Sequence, residues 1–125
     1  MKAAISLDMK KKRIRIHKST LDLLNKPENI VIMVNPDKNK IALCSTLPDV
    51  KDSLKVFYDN NSDCEYYSKE LMEQLSRLKS CIDQSYTYRI YGKIVNSILA
   101  IFDINDAFRY DGCSDLYIET GVNNK

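Results

Sequence analysis

The chain has 125 residues, of which 44% are hydrophobic and 29% charged, with a net charge of +2. That length fits one domain spanning residues 1–125 with enough apolar material for a packed core. The near-balance of charge excludes a disordered tail protein and a bulk polyelectrolyte.

The start, MKAAISLDMKKK, has a charge at once and an apolar stretch too short for a signal peptide, and no apolar run approaches the ~20 residues of a membrane helix. A cytoplasmic protein is therefore expected, with Cys44, Cys64, Cys81 and Cys113 reduced and serving as small buried hydrophobes. The cysteines form no CxxC pair and His17 is the one histidine, so no zinc site is expected. Glycines stand only at 92, 112 and 121, which excludes a glycine-rich phosphate loop, and no cofactor is expected. Ile, Lys, Asn, Asp and Tyr are abundant while Arg and Gly are scarce. That bias follows AT-rich codons and points to a bacterial or phage origin.

Taken in order, Ala3 to Leu7 reads as a short strand. Residues 13–17 alternate, with Ile14 and Ile16 on one face and Arg13, Arg15 and His17 on the other, as a half-buried strand requires. Ser19 is positioned to cap a short helix, with Asp22 as the acidic member of a capping box. Pro27 ends that helix, and Asn25 suits the left-handed residue that closes it.

Asn29–Asn35 is apolar almost throughout and reads as a strand covered on both faces or in the core centre. Residues 36–39 (PDKN) are turn chemistry, and Lys40–Thr46 returns as its partner. Ser53–Asp59 alternates as a further strand, and residues 59–63 form the most loop-like run.

The order then recurs. Cys64–Tyr67 is a short strand, and Ser68–Ile82 a helix with Leu71, Leu75, Leu78 and Ile82 on one stripe and Glu73 four residues before Arg77. Tyr86–Val95 and Ile98–Ile104 form a hairpin about Asn96-Ser97, Asp111-Gly112 a turn, and Leu116–Glu119 a last strand. The expected fold is α+β: two β-α-β-β-β units, about 12–59 and 63–119, in a mostly antiparallel curved sheet with two helices on one face.

Two such units in this length resemble one domain of a DNA sliding clamp, over Lys12–Asp59 and Cys64–Glu119. The resemblance implies helices facing DNA in a ring of about six domains; here the helices carry Lys18, Lys26, Lys69, Arg77 and Lys79 but also Asp22, Glu70 and Glu73. Residues Arg13–Leu43 also resemble the DNA-binding hairpin of AbrB-type regulators: basic strand, short helix, then a hairpin ending in Ile41 and Leu43. His17 stands where that family has Pro, and Asn25 where it has Gly.

Charge is unevenly spread. Residues 1–26 hold eight Lys/Arg and two Asp, whereas 103–119 hold five acids and Arg109. Lys10, Lys11, Lys12, Arg13, Arg15 and Lys18 are the candidate nucleic-acid contacts, the alternative being a solvated strand edge guarded by lysines. Tyr86, Tyr88, Arg89 and Tyr91 are the candidate protein-interaction or base-stacking residues, the alternative being ordinary sheet packing. His17 lacks a nucleophile nearby in sequence, and Asp103 with Asp106 suits capping better than Mg²⁺.

No catalytic set emerges, so an enzyme is not expected, nor is a small-molecule substrate. The expected function is a small non-enzymatic binding protein acting on DNA or on a DNA-bound complex. The alternative is a protein-interaction module or inhibitor from a phage or mobile element. A homo-oligomer fits either.

Overall fold

The computed structural model describes residues 2–58, 63–77, 83 and 85–110. The expected helix end at Leu78–Ile82, the turn at Asp111-Gly112, the strand Leu116–Glu119, and Cys81 and Cys113 lie outside the described residues.

The chain order is β1 (Ala3–Asp8), β2 (Arg13–Ile16), α1 (Lys18–Leu23), β3 (Asn29–Asn35), β4 (Lys40–Ser45) and β5 (Leu54–Lys55), then β6 (Cys64–Tyr67), α2 (Lys69–Ser76), β7 (Thr87–Asn96), β8 (Leu99–Asp103) and β9 (Phe108–Arg109). A 3₁₀ turn, Ile104–Asp106, joins the last two strands. Every strand pairing is antiparallel. The α+β class with a mostly antiparallel, curled sheet and two helices is thus what the chain adopts. The sheet runs β5-β3-β4-β8-β7-β1-β2-β6, with β9 beside β7. At Tyr88 and Arg89 the other flank of β7 is held by β1, so β9 continues along the same side as β8.

Alternation decides which face is buried. Ile16, Ile5 and Ile90 stand in one cross-strand row, and Leu7 stands between Ile14 and Tyr88. Ile41–Phe102 and Leu43–Ala100 extend that face across β4 and β8. With Leu21 and Leu24 around α1 and Met72 and Leu75 from α2, these side chains form one buried cluster inside the curl. Gly92 belongs to the same face: a Cβ there would stand 2.4 Å from the Phe102 ring and 2.6 Å from the Ile101 carbonyl oxygen. The ring occupies the space a side chain would need.

Several elements differ from the sequence reading. β1 is central, paired to β2 on one edge and β7 on the other. Helix α1 starts at Lys18, two residues before the start that a Ser19 cap implies; its N-cap is His17, which makes no side-chain cap bond. The Lys18 N–H donates instead to Asp63 Oδ1 at 2.9 Å, and Ser19 Oγ donates to the Lys2 carbonyl at 2.7 Å. Asp22 is drawn to the Lys18 ammonium at 2.9 Å.

The C-terminal end of α1 is as expected. Asn25 has φ 61°, and the N–H groups of Asn25 and Lys26 return to the Asp22 and Leu21 carbonyls. Helix α2 is capped by Ser68 Oγ, which accepts from the Leu71 N–H at 3.1 Å. Strand β5 is only two residues long because Tyr58 turns away and its hydroxyl donates to the Pro27 carbonyl. Strand β3 is not covered on both faces: Ile30 is buried, Ile32 and Val34 pack on the core, and Met33 on the other face is 44% exposed.

The two sheet edges, β5 and β6, approach each other. Tyr66 Oη donates to the Lys55 carbonyl at 2.7 Å, so a side chain spans the seam where a strand ladder would close a barrel. Beside it lies a cleft of about 450 Å³ lined by Ile32, Leu54, Tyr66, Glu70 and Leu71 among others.

Candidate functional site

The outer face of β6-β2-β1-β7-β9 gathers most of the residues singled out in the sequence. Register lays them out in rows. Glu65, Arg15, Ser6, Arg89 and Phe108 are successive cross-strand partners. One row along lie Tyr67, Arg13, Asp8 and Thr87. Tyr91 pairs with Ala4 in the row on the other side. Each of these strands turns its apolar alternates inward, which leaves its charged and aromatic residues outside.

The aromatic side chains are interleaved with cations. Tyr91 stacks on Phe108 with centroids 5.8 Å apart and planes 27° apart, and the Lys2 ammonium lies 5.2 Å from the Tyr91 centroid. The Arg89 guanidinium sits 3.8 Å from the Tyr110 ring. Tyr67 is 68% exposed and Tyr91 41%, so both side chains reach solvent. At the open end of the sheet, Arg109 lies 3.7 Å from the Tyr86 ring.

The basic run divides in two. Lys10, Lys11 and Lys12 form the β1–β2 turn, with Lys12 at φ 56° and the Lys11 N–H donating to Asp8 Oδ1. That turn is tied to the tyrosine segment, since the Met9 N–H donates to the Tyr86 carbonyl at 3.3 Å. The other three candidates are paired. Arg13 reaches Asp8 at 2.9 Å and Glu65 at 3.4 Å, Arg15 reaches Glu65 at 2.9 Å, and Lys18 reaches Asp22 at 2.9 Å. Burial pulls the Arg13 pKa down, but the hydrogen bond with Tyr67 and the charges of Glu65 and Asp8 outweigh it, so the guanidinium ends above its ordinary value. Among the described residues the acids of these pairs come from β1, α1 and β6, and Glu65 reaches its two arginines across about fifty residues of sequence.

The tyrosine set does not form one surface. Tyr88 is 4% exposed and belongs to the core; only its hydroxyl is engaged, accepting from the Asp83 N–H at 2.8 Å. This corrects its place among the contact residues: its even position on β7 points it inward with Ile90, while Arg89 and Tyr91 point out. Phe108, Tyr110, Arg109, Lys2 and Glu65 join the site although the sequence did not single them out. Their signal was available only through register, since Phe108 and Arg109 lie on a two-residue strand with no visible alternation.

His17 has a partner after all: its Nε2 lies 2.7 Å from Ser6 Oγ. Ser6 is only 4% exposed within a paired strand, so a reacting carbonyl has no approach and the contact acts as a cross-strand tie. Asp103 caps the 3₁₀ turn by accepting from the Asn105 N–H at 2.9 Å. Cys64 is buried and Cys44 half-buried, both as free thiols. Among the described residues no three metal-ligating side chains cluster, and no helix is long and apolar enough to cross a membrane.

No protein-family model, curated protein or solved structure matches the chain. The reading of function therefore rests on the chemistry of the surfaces.

Proposed function

We propose that this is a non-enzymatic binding protein for single-stranded nucleic acid, using the outer face of β6-β2-β1-β7-β9. The observation that carries the reading is the register that alternates Arg13, Arg15 and Arg89 with Tyr67, Tyr91 and Phe108 across that face. Exposed rings offer stacking surfaces to any base, and guanidinium groups and the turn lysines Lys10–Lys12 take phosphates. Arg13 and Arg15 exchange their Glu65 and Asp8 partners for phosphate oxygens. Partly exposed ion pairs are weak enough for that exchange.

The sliding-clamp likeness and the internal repeat stand as parts of this proposal. In support, β2 pairs with its counterpart β6 and β4 with its counterpart β8, as a two-fold relation between halves requires. β1 has no counterpart among the described residues, and β5 flanks β3 on the side away from β4 whereas β9 lies on the same side of β7 as β8. For the AbrB-like segment, β2 pairs with β1 and β6 rather than with the β3–β4 hairpin.

Binding of labelled single strands and duplexes of equal length, measured between about 50 mM and about 200 mM salt, tests the reading. Single strands bind more tightly than duplexes, and affinity falls steeply with salt. Tyr91→Ala weakens binding about tenfold, the loss of one stacked base. Glu65→Gln tightens it, because Arg13 and Arg15 lose a competitor. Absence of binding to both forms at low salt overturns the proposal and leaves the same face as a protein-interaction surface.

A further inference from the structure

The curled sheet has a second outer face, over β3-β4-β8 and the end of β7, and its chemistry is the opposite of the first. Val31 and Met33 of β3, Ala42 and Cys44 of β4, Leu99 and Ile101 of β8, and Val95 of β7 all point away from the core. They stand in rows: Val31–Cys44–Leu99 and Met33–Ala42–Ile101–Lys93. Among the described residues no helix lies over this face, and Met33 is 44% and Val95 58% exposed. Strand Asn29–Asn35 is apolar on both faces, as a strand covered on both sides would be, yet one face is open.

We propose that a second copy of this chain covers this face. The support is self-complementarity about the β4–β8 boundary. Three cross-strand pairs straddle it: Lys40 with Asp103, Ala42 with Ile101, and Cys44 with Leu99. A two-fold axis parallel to the strands between β4 and β8 lays β4 of one copy over β8 of the other. Each small residue, Ala42 or Cys44, then meets a large one, Ile101 or Leu99. Each Lys40 meets an Asp103, twice by symmetry. Met33 meets the aliphatic stem of Lys93. An isologous contact needs this match of a patch with itself.

Four strands at sheet spacing and about five residues of length give a footprint of roughly 330 Å² per copy. That is below the size of a standard stable interface, so the dimer is a weak one that forms only as the protein is concentrated. The proposal is independent of nucleic-acid binding, which uses the other half of the sheet.

Sedimentation or light-scattering mass, measured from about 1 µM to about 200 µM, tests it. Mass should rise from 14.4 kDa toward twice that value. Lys40→Asp sets two carboxylates against each other and abolishes the rise. The double exchange Lys40→Asp with Asp103→Lys restores it, and Ile101→Arg again gives a monomer. A wild-type mass fixed at one chain throughout overturns the proposal. So does a folded Lys40→Asp protein, with native circular dichroism, that dimerises as before, or a folded double exchange that stays monomeric.

Discussion

Thr20 is fully buried in α1, and its hydroxyl serves one strand residue twice. Oγ1 donates to the Ala4 carbonyl and accepts from the Ala4 N–H, both at 2.7 Å. It gives the Ala4 N–H its acceptor, while the Ala4 carbonyl also accepts from the His17 N–H at 3.2 Å, and it pins α1 to the sheet. Thr20→Val keeps the shape and orphans the Ala4 N–H, which costs about 1–3 kcal/mol. The urea midpoint should fall with little change in slope, while Thr20→Ser retains most of the stability. Nothing adjacent in sequence marks Thr20, because its partner is sixteen residues away. Asn25 is the opposite case: its left-handed conformation serves carbonyls three and four residues back, so a local reading finds it. Gly92 was read only as too isolated for a phosphate loop, since the Phe102 ring that demands it comes from another strand.

Strand β1 shows how an element gains weight from its position. Its six residues carry a short alternating pattern beside a run of lysines and resemble a frayed terminus. In the fold it is hydrogen-bonded along both edges, and Ile5 and Leu7 are fully buried. Opening it means breaking two ladders and exposing the core, whereas β5 and β9 have two residues each. Native-state hydrogen exchange should therefore find the slowest amides in β1 and in the Thr87–Gly92 part of β7. β5 and β9 should exchange fastest. Equal protection of β5 and β1 would count against the assigned order. The hairpins β3–β4 and β7–β8 were legible within a residue or two, because Pro36 to Asn39 and Asn96-Ser97 are turn chemistry next to alternating strands. The second helix was legible in type.

For the molecule as a whole, the seam between β5 and β6 is the place where the barrel stays open. Two tyrosines bridge it and its surroundings, Tyr66 to Lys55 and Tyr58 to Pro27, and both act as neutral donors. Burial, reinforced by Cys64, Asp22 and Glu28, pushes the Tyr58 pKa up to about 12. Burial and the contact with Cys64 push Tyr66 up as well. A group whose folded pKa is raised stabilises fully below its unfolded value, ~10 for tyrosine, and that stability fades as pH rises through the folded value. Melting temperatures should hold near pH 8 and decline from about pH 10 upward. Tyr66→Phe should be less stable at pH 8 by about 1 kcal/mol and decline less steeply in alkali. Parallel curves for the two proteins would exclude Tyr66 as a source of the decline.

The sequence by itself determined what depends on neighbours within about four residues: the alternation of β2 and β7, the hairpin turns, the left-handed Asn25 that closes α1, and the inventory of cations and tyrosines. Tertiary structure decided what depends on register between distant segments. Arg15 and Glu65 are fifty residues apart, yet the β2–β6 ladder places them in contact, so a basic run that looks free in sequence is half paired. Register sends Tyr88 into the core, brings Phe108 beside Tyr91, and gathers the apolar alternates of β3, β4 and β8 on an open face. The physical reason is common to all of these. Capping and turn preferences are properties of the local backbone, whereas the core fixes which strands meet and in what phase, and phase alone assigns each side chain its partners.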